Sequence, residues 1–192
     1  EQPWRQLVAR FYDPDGHIVE VGERLERLAW RLSEEGLGLD DISRVTYLSR
    51  PAALRAMAEY STGLLGVAIE SDRLLQVAIR HDFDDEIFRE FTPAVATYMY
   101  PAPTGDIADT RAFVGSSLEG LRSGDQLQLV IVDKESGEFI GCSGLHGLGR
   151  PDPELGVWTK ASAHGHGYGR EAVTAIVAWA RGNLAFERLA YP

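Results

Sequence analysis

Residues His164 to Val173 read HGHGYGREAV: three glycines alternate with two histidines and a tyrosine, and the sequence then becomes helix-forming. Glycine admits positive φ and carries no side chain, so this alternation marks a tight bend or a close approach to something else. A strand pattern, ELGVWTK (154–160), leads into it. Ala172, Val173, Ile176, Val177 and Ala180 follow at helical spacing. A strand, a glycine turn and a helix start leave several backbone N–H groups without intrahelical partners. Two readings stay open on spacing alone. One is an anion cradle at the positive end of a helix dipole. The other is a turn that needs positive φ at Gly165, Gly167 or Gly169 and binds nothing.

Two other chemistries fit poorly. No Lys-Ser/Thr pair follows the last glycine, and the spacing is not that of a dinucleotide fingerprint, which argues against nucleotide hydrolysis. His164 and His166, two apart in a turn, lack the additional ligands that a metal needs.

Upstream, DQLQLVIVDKESGEFIGCSGLHGL (125–148) holds two strand patterns joined by Lys134-Glu135-Ser136-Gly137, an antiparallel hairpin. Cys142 falls inside the second pattern, as a packing residue. A helix capped by Asp106 carries Phe113, Val114, Leu118 and Leu121 and ends at Gly124. Another, with Asp82 or Asp84 at its start, carries Ile87, Phe88, Phe91 and Val95. RLLQVAIR (73–80) alternates as a half-buried strand, and FERLAYP (186–192) closes the chain as a last strand. Residues 23 to about 60 are helical in pattern, with a break at Gly36 and Gly38, and a boundary falls near Ser61 to Gly66.

With these residues in place, PELGVWTKASAHGHGYGREAV (153–173) resembles motif A of the GNAT superfamily of N-acetyltransferases. The order of elements from Ser71 to Pro192 is similar to its ribosomal-protein N-terminal acetyltransferase branch. The resemblance implies an α/β (α+β) fold of GNAT type, a mixed, largely antiparallel central sheet flanked by helices. It implies acetyl-CoA as cofactor, with its pyrophosphate on His164, Gly165, His166, Gly167, Tyr168, Gly169 and Arg170. The pantetheine arm then pairs with the backbone of Val157, Trp158 and Thr159 like an added strand. His164 stands where the family usually has glutamine or arginine.

The implied reaction is direct attack of a primary amine, on a protein N-terminus or a small molecule, in a ternary complex. Positioning supplies much of the rate, and an amide such as that of Val157 polarises the carbonyl. Glu154 is the first candidate for the general base, at a position where this family often carries an acid. His146 is the second. Tyr98 and Tyr100 are candidates to line the acceptor pocket. A complete member of the family continues with a helix and two more strands, so the resemblance implies a C-terminally incomplete domain whose activity is in question.

The amino end, RFYDPDGHIVEVGE (10–23), reads as strand, turn and strand, and resembles the last hairpin of the glyoxalase (vicinal oxygen chelate) proteins. There Glu20 would correspond to a metal ligand, but one carboxylate does not hold a metal specifically, and His17 reads as a turn residue. The expected division is 1–22 as a glyoxalase-like remnant, 23–62 as a helical tail or linker and 71–192 as the acetyltransferase. A helix-turn-helix within 32–57 is disfavoured, because Glu34, Glu35, Asp40 and Asp41 would oppose DNA phosphates.

Bulk properties agree. A net charge of −10 disfavours a general nucleic-acid surface. No apolar run reaches the roughly 20 residues that span a bilayer, and a single cysteine excludes an internal disulfide. The expectation is a cytoplasmic enzyme acting on a small-molecule or peptide amine, without nucleic-acid, membrane or metal partners. Its rivals are a metal-dependent glyoxalase or dioxygenase and a non-catalytic acyl-CoA-binding domain.

Overall fold

The structure, a computed structural model, describes residues 5–97, 99 and 102–191. The chain opens with β1 (Val8–Tyr12) and β2 (Ile18–Gly22), then α1 (Leu25–Glu34), α2 (Leu39–Thr46) and α3 (Arg50–Tyr60). It continues through β3 (Ala68–Glu70), β4 (Leu74–Ala78), α4 (Asp84–Glu90), α5 (Ile107–Ser123), β5 (Gln126–Asp133), β6 (Phe139–His146), β7 (Glu154–Thr159) and α6 (Tyr168–Asn183). Strands β3 to β7 form one antiparallel sheet in sequence order, and β1 and β2 pair separately. This is the helix-flanked, largely antiparallel sheet that the sequence implies.

Local chemistry explains the helix starts. Asp106 Oδ1 accepts the Ala108 amide at 2.8 Å and Gly124 ends α5 at φ 80, as expected. Ser49 caps α3, with Pro51 just inside it. Asp82 does not cap α4. Its Oδ1 reaches back to accept the Leu39 amide at 2.6 Å and so starts α2, while Arg80 Nε holds its other oxygen at 2.9 Å. No side chain caps α4.

Two further expectations change, and one strand, β3, is additional. β4 is buried along its whole length, not half-buried. Gln76 tolerates this because its amide donates to Ala172 O (3.1 Å) and its oxygen accepts from Ser143 Oγ (2.6 Å). The short edge strand β3 falls in a stretch whose sequence showed no alternation. The last strand is a single parallel bridge, Ala190 to Glu154, with Leu155 N–H donating to Ala190 O at 2.8 Å.

The core is continuous. Leu28, Leu32, Ile42 and Leu54 of the first three helices belong to the same buried cluster as Leu75, Leu127, Leu129 and Ile176, and α3 packs against β3 and β4. Gln128, Gly144, His146, Gly156 and Trp158 share the sheet face towards α4 and α5. Gln76 and Ser143 lie on the opposite face, under α6.

The β6–β7 junction tolerates no side chain at Gly141. An added Cβ would stand 2.1 Å from Trp158 O and 2.7 Å from Thr159 Cα, both backbone atoms. Gly141→Ala is therefore expected to lower the unfolding free energy by about 1–3 kcal/mol, towards the upper end because neither contact can rotate away. Urea unfolding measures this, and an unchanged midpoint would contradict the close approach.

Candidate functional site

The glycine loop departs from β7 by way of a one-turn helix at Ala161–Ala163. Gly165 (φ 78) and Gly167 (φ 80) both hold left-handed backbone. A Cβ on Gly165 or Gly169 would meet nothing within 4 Å, so the space beside the loop is open. Among the described residues, the amides of Gly165, His166, Gly167, Tyr168, Gly169 and Arg170 have no acceptor. The first bonded amide is that of Glu171, to Gly167 O at 3.1 Å. Six consecutive amides with no acceptor, running into a sixteen-residue helix, are the donors that an anion at a helix start requires.

The loop is held from both ends. His164 Nε2 donates to Thr159 O at 2.9 Å. The His166 ring stacks on Tyr168, so the two histidines do not converge. Arg73, at the entry to β4, fixes the rest: its Nη1 and Nη2 each donate to His166 O at 3.2 Å, and its guanidinium lies 4.3 Å from the Tyr168 ring centre. Its Nε and backbone N–H both donate to Glu171, each at 2.8 Å, and Ser71 Oγ adds a bond at 2.7 Å. Burial alone would raise the Glu171 pKa, but these bonds from Ser71 and Arg73 hold it below the ordinary carboxylate value. Arg73 is a residue that the sequence reading missed.

Beside the loop, the edge of β7 away from β6 has no partner strand along Val157–Thr159 among the described residues. Lys160 N–H donates to Ile140 O and Leu155 N–H to Ala190 O, each at 2.8 Å. By the alternation of an antiparallel ladder, Gly156 and Trp158 bond to β6, and Val157 and Thr159 turn their backbone groups the other way. A cleft of about 380 Å³ runs along this edge, lined by Val157, Trp158, Thr159, His164 and Gly169. It shares Met99, Val157 and Trp158 with a second cavity of about 790 Å³ between the sheet and α4–α5.

The two candidate bases differ in placement. His146 lines the larger cavity and is half-buried, whereas Glu154, opposite it in register on β7, is exposed and outside the lining. Gln126 Nε2 faces Ser116 O at 3.4 Å, so its Oε1 faces His146 Nδ1 at 3.2 Å. Nδ1 is then the protonated nitrogen, and Nε2, 3.8 Å from where a Cβ on Gly156 would lie, keeps its lone pair. Burial pushes the His146 pKa below its ordinary value, outweighing the upward pull of Glu154 and Asp125.

Cys142 also touches the cavity, and burial drives its thiol pKa far up, so it is a protonated packing residue. Phe88, Phe91 and Phe113 line the same space, although their spacing had placed them in helix stripes. Tyr98 and Tyr100 lie outside the described residues.

At the amino end, Glu20 pairs with Arg10 across the hairpin at 2.5 Å. Asp13, Asp15 and His17 cluster at the turn. There Asp13 Oδ1 accepts the Asp15 and His17 amides at 3.0 and 2.8 Å, which by itself accounts for their proximity.

Comparison with known proteins fits this geometry. A family model described as an acetyltransferase (GNAT) domain matches residues 73–192. A second, described as a glyoxalase-like domain, matches residues 1–26. No curated protein sequence matches the chain significantly. Among solved structures, the ribosomal-protein alpha-N-acetyltransferase RimL in complex with coenzyme A is similar at a TM-score of 0.54 and 16% identity, over 62% of this chain and 71% of that one. The microcin C7 self-immunity acetyltransferase MccE, in complex with acetyl-CoA and AMP, gives 0.52 and 15%, over 60% and 67%. A GNAT-family acetyltransferase from Bacillus anthracis gives 0.51 and 18%, over 60% and 67%. At these identities the likeness is one of fold. Among the described residues, no helix is long and apolar enough to cross a membrane.

Proposed function

The chain belongs to the GNAT acetyltransferase family, and on that premise we propose that it transfers the acetyl group of acetyl-CoA to a primary amine. The six unpaired amides of residues 165–170 carry this proposal. They match a diphosphate, which is doubly charged and needs several donors at once. Acetyl-CoA would supply an acetyl thioester, whose C–S bond breaks as the amine nitrogen forms the new C–N bond and gives up a proton, and CoA would leave as the thiolate and take up a proton from water.

The chain's own residues divide the work. The amides and the dipole of α6 hold the diphosphate, with Arg170 at the rim. Val157 and Thr159 offer the edge along which the pantetheine arm runs, and Trp158 forms a wall between the cleft and the acceptor cavity. The Val157 N–H, on the side of β7 away from β6, would polarise the carbonyl. His146 Nε2 takes the proton of the amine, directly or through water, and Glu154, across the strand pair, stabilises the imidazolium that results. This order reverses the preference drawn from the sequence.

For the chain as a whole we propose the division read from the sequence: 1–22 glyoxalase-like, 23–62 helical and 71–192 acetyltransferase. The contacts of α3 with β3 and β4 support treating the helical segment as a layer on the transferase rather than a free linker. The acceptor can be a protein N-terminus or a small molecule, and the setting can be the cytoplasm.

Calorimetry with CoA, followed by thiol release from acetyl-CoA in the presence of amines, tests the proposal. Binding with turnover supports it, binding without turnover for any amine leaves a non-catalytic acyl-CoA-binding domain, and absence of binding removes both.

Arg73 offers a separate check. Arg73→Ala removes the two bonds to His166 O, the cation over Tyr168 and the partner of Glu171. It is expected to weaken CoA binding about tenfold, through a loop that must be ordered on binding and the loss of a nearby positive charge. Titration calorimetry reads this. Unchanged affinity would mean that the loop holds its shape without the buttress.

A further inference from the structure

The larger cavity carries an unusual set of walls for a site that must admit an ammonium ion. Phe88, Phe91, Phe113 and Trp158 line it, with Pro93, Pro103 and Met99 between them. Phe91 and Trp158 meet with ring centres 5.1 Å apart, so part of this wall is prepacked. Phe88 and Phe113 are 38% and 41% exposed, large rings left uncovered on the helices that face the opening. A single exposed ring is ordinary, but here two exposed rings and one packed aromatic pair line the same space.

The charges are one-sided. Among the described residues, Asp106 and Asp109 are the charged side chains of the lining, exposed where α5 begins, and no lysine or arginine belongs to it. Asp106 spends one oxygen on the Ala108 amide and Asp109 spends one on Thr104 Oγ1, and both residues are exposed. Nearby Arg111 lies 3.8 Å from Asp84. His146 also lines the cavity, and burial lowers its pKa and so disfavours its charged form. A substrate carboxylate would therefore meet two like charges and, among the described lining residues, no lysine or arginine to pair with. A slender chain carrying several ammonium groups would have to strip its charges against aromatic walls without filling them.

We propose that the acceptor is a primary amine on an aromatic or similarly bulky apolar body, with no carboxylate beside the amine. The inference rests on the acetyl-transfer function proposed above. The apolar body lies against Phe88, Phe91, Phe113 and Trp158, and the nitrogen reaches inward to His146 Nε2. Asp106 and Asp109 draw the cation to the mouth. Two sources supply this chemistry: a free arylalkylamine, or a peptide whose first residue is aromatic.

The test is calorimetric titration of the 192-residue protein, saturated with CoA, with four probes. These are 2-phenylethylamine, an amidated peptide beginning with phenylalanine, L-phenylalanine and spermidine. One of the first two is expected to bind at least about tenfold more tightly than either of the last two. The better of the first two identifies the source. Equal or tighter binding of L-phenylalanine or spermidine overturns the inference, as does CoA binding with no response to any probe, which leaves acetyl transfer itself standing. Failure to bind CoA removes the underlying function as well. Phe113→Ala changes an exposed ring and is expected to weaken the preferred probe about tenfold, while Phe113→Leu keeps most of the affinity. Full affinity in Phe113→Ala also overturns the inference.

Discussion

Gly167→Val is expected to weaken CoA binding by roughly 100-fold or more, while the melting temperature falls by no more than about 10 °C. Gly167 sits at φ 80 and ψ 4, directly before α6. A β-branched residue held there carries strain of order 1–3 kcal/mol, and the peptide relieves it by rotating. That rotation turns the amides of Gly167 and Tyr168 away from the seat. Each charge-assisted hydrogen bond contributes about 1.5–3 kcal/mol, so two lost bonds span roughly two to four decades of affinity. The loop is exposed and has no core contacts to lose at Gly167, so the fold bears only the strain. Titration calorimetry beside a thermal melt separates the two effects. Undiminished affinity would show that the left-handed turn is not what presents the donors.

The largest effect on turnover is expected at His146, the proposed base. His146→Ala is expected to lower kcat by about 10²- to 10⁴-fold, the range of a positioned general base, whereas Glu154→Gln costs less than about tenfold because it acts on the base and not on the amine. The pH dependence carries the sign. The folded pKa of His146 lies below the ordinary histidine value, so the base form is present at neutral pH and is lost only in acid. The acceptor amine titrates in both proteins, and the ratio of wild-type to His146→Ala rate cancels it. That ratio is expected to stay high above about pH 6.5 and to fall towards one in acid. Stability follows the same group: a depressed histidine pKa favours the folded form above the unfolded pKa and is a liability as pH falls. A flat ratio, or a larger loss from Glu154→Gln, would move the base to Glu154.

Much of this architecture was legible because its signals are local. The glycine alternation at 165–169, the Lys134–Gly137 turn, the Asp106 cap and the Gly124 stop each need only a few neighbouring residues to be read. What stayed hidden depends on residues far apart in sequence. Gln76 made β4 look half-exposed, and only its bonds to Ala172 O and Ser143 show how a polar side chain is buried there. Asp82 looked like the start of its own helix but caps another, 43 residues earlier. Arg73 lies more than 90 residues from the loop that it steadies. Phe113 fitted a helix stripe, but its ring turns to a cavity and not into the core. The preference for Glu154 over His146 came from the family likeness, and the cavity lining of His146 and the solvent exposure of Glu154, on which the proposed reversal rests, leave no mark on sequence spacing.

The central claim is that main-chain nitrogens at the start of α6 receive a diphosphate, and ¹⁵N-resolved amide spectra of the protein test it most directly. With CoA added, the amides of Gly165 to Arg170 are expected to shift furthest of all and to exchange more slowly with solvent, whereas pantetheine, which has no diphosphate, leaves them close to their free positions. CoA that binds while those six amides stay unmoved would contradict the account.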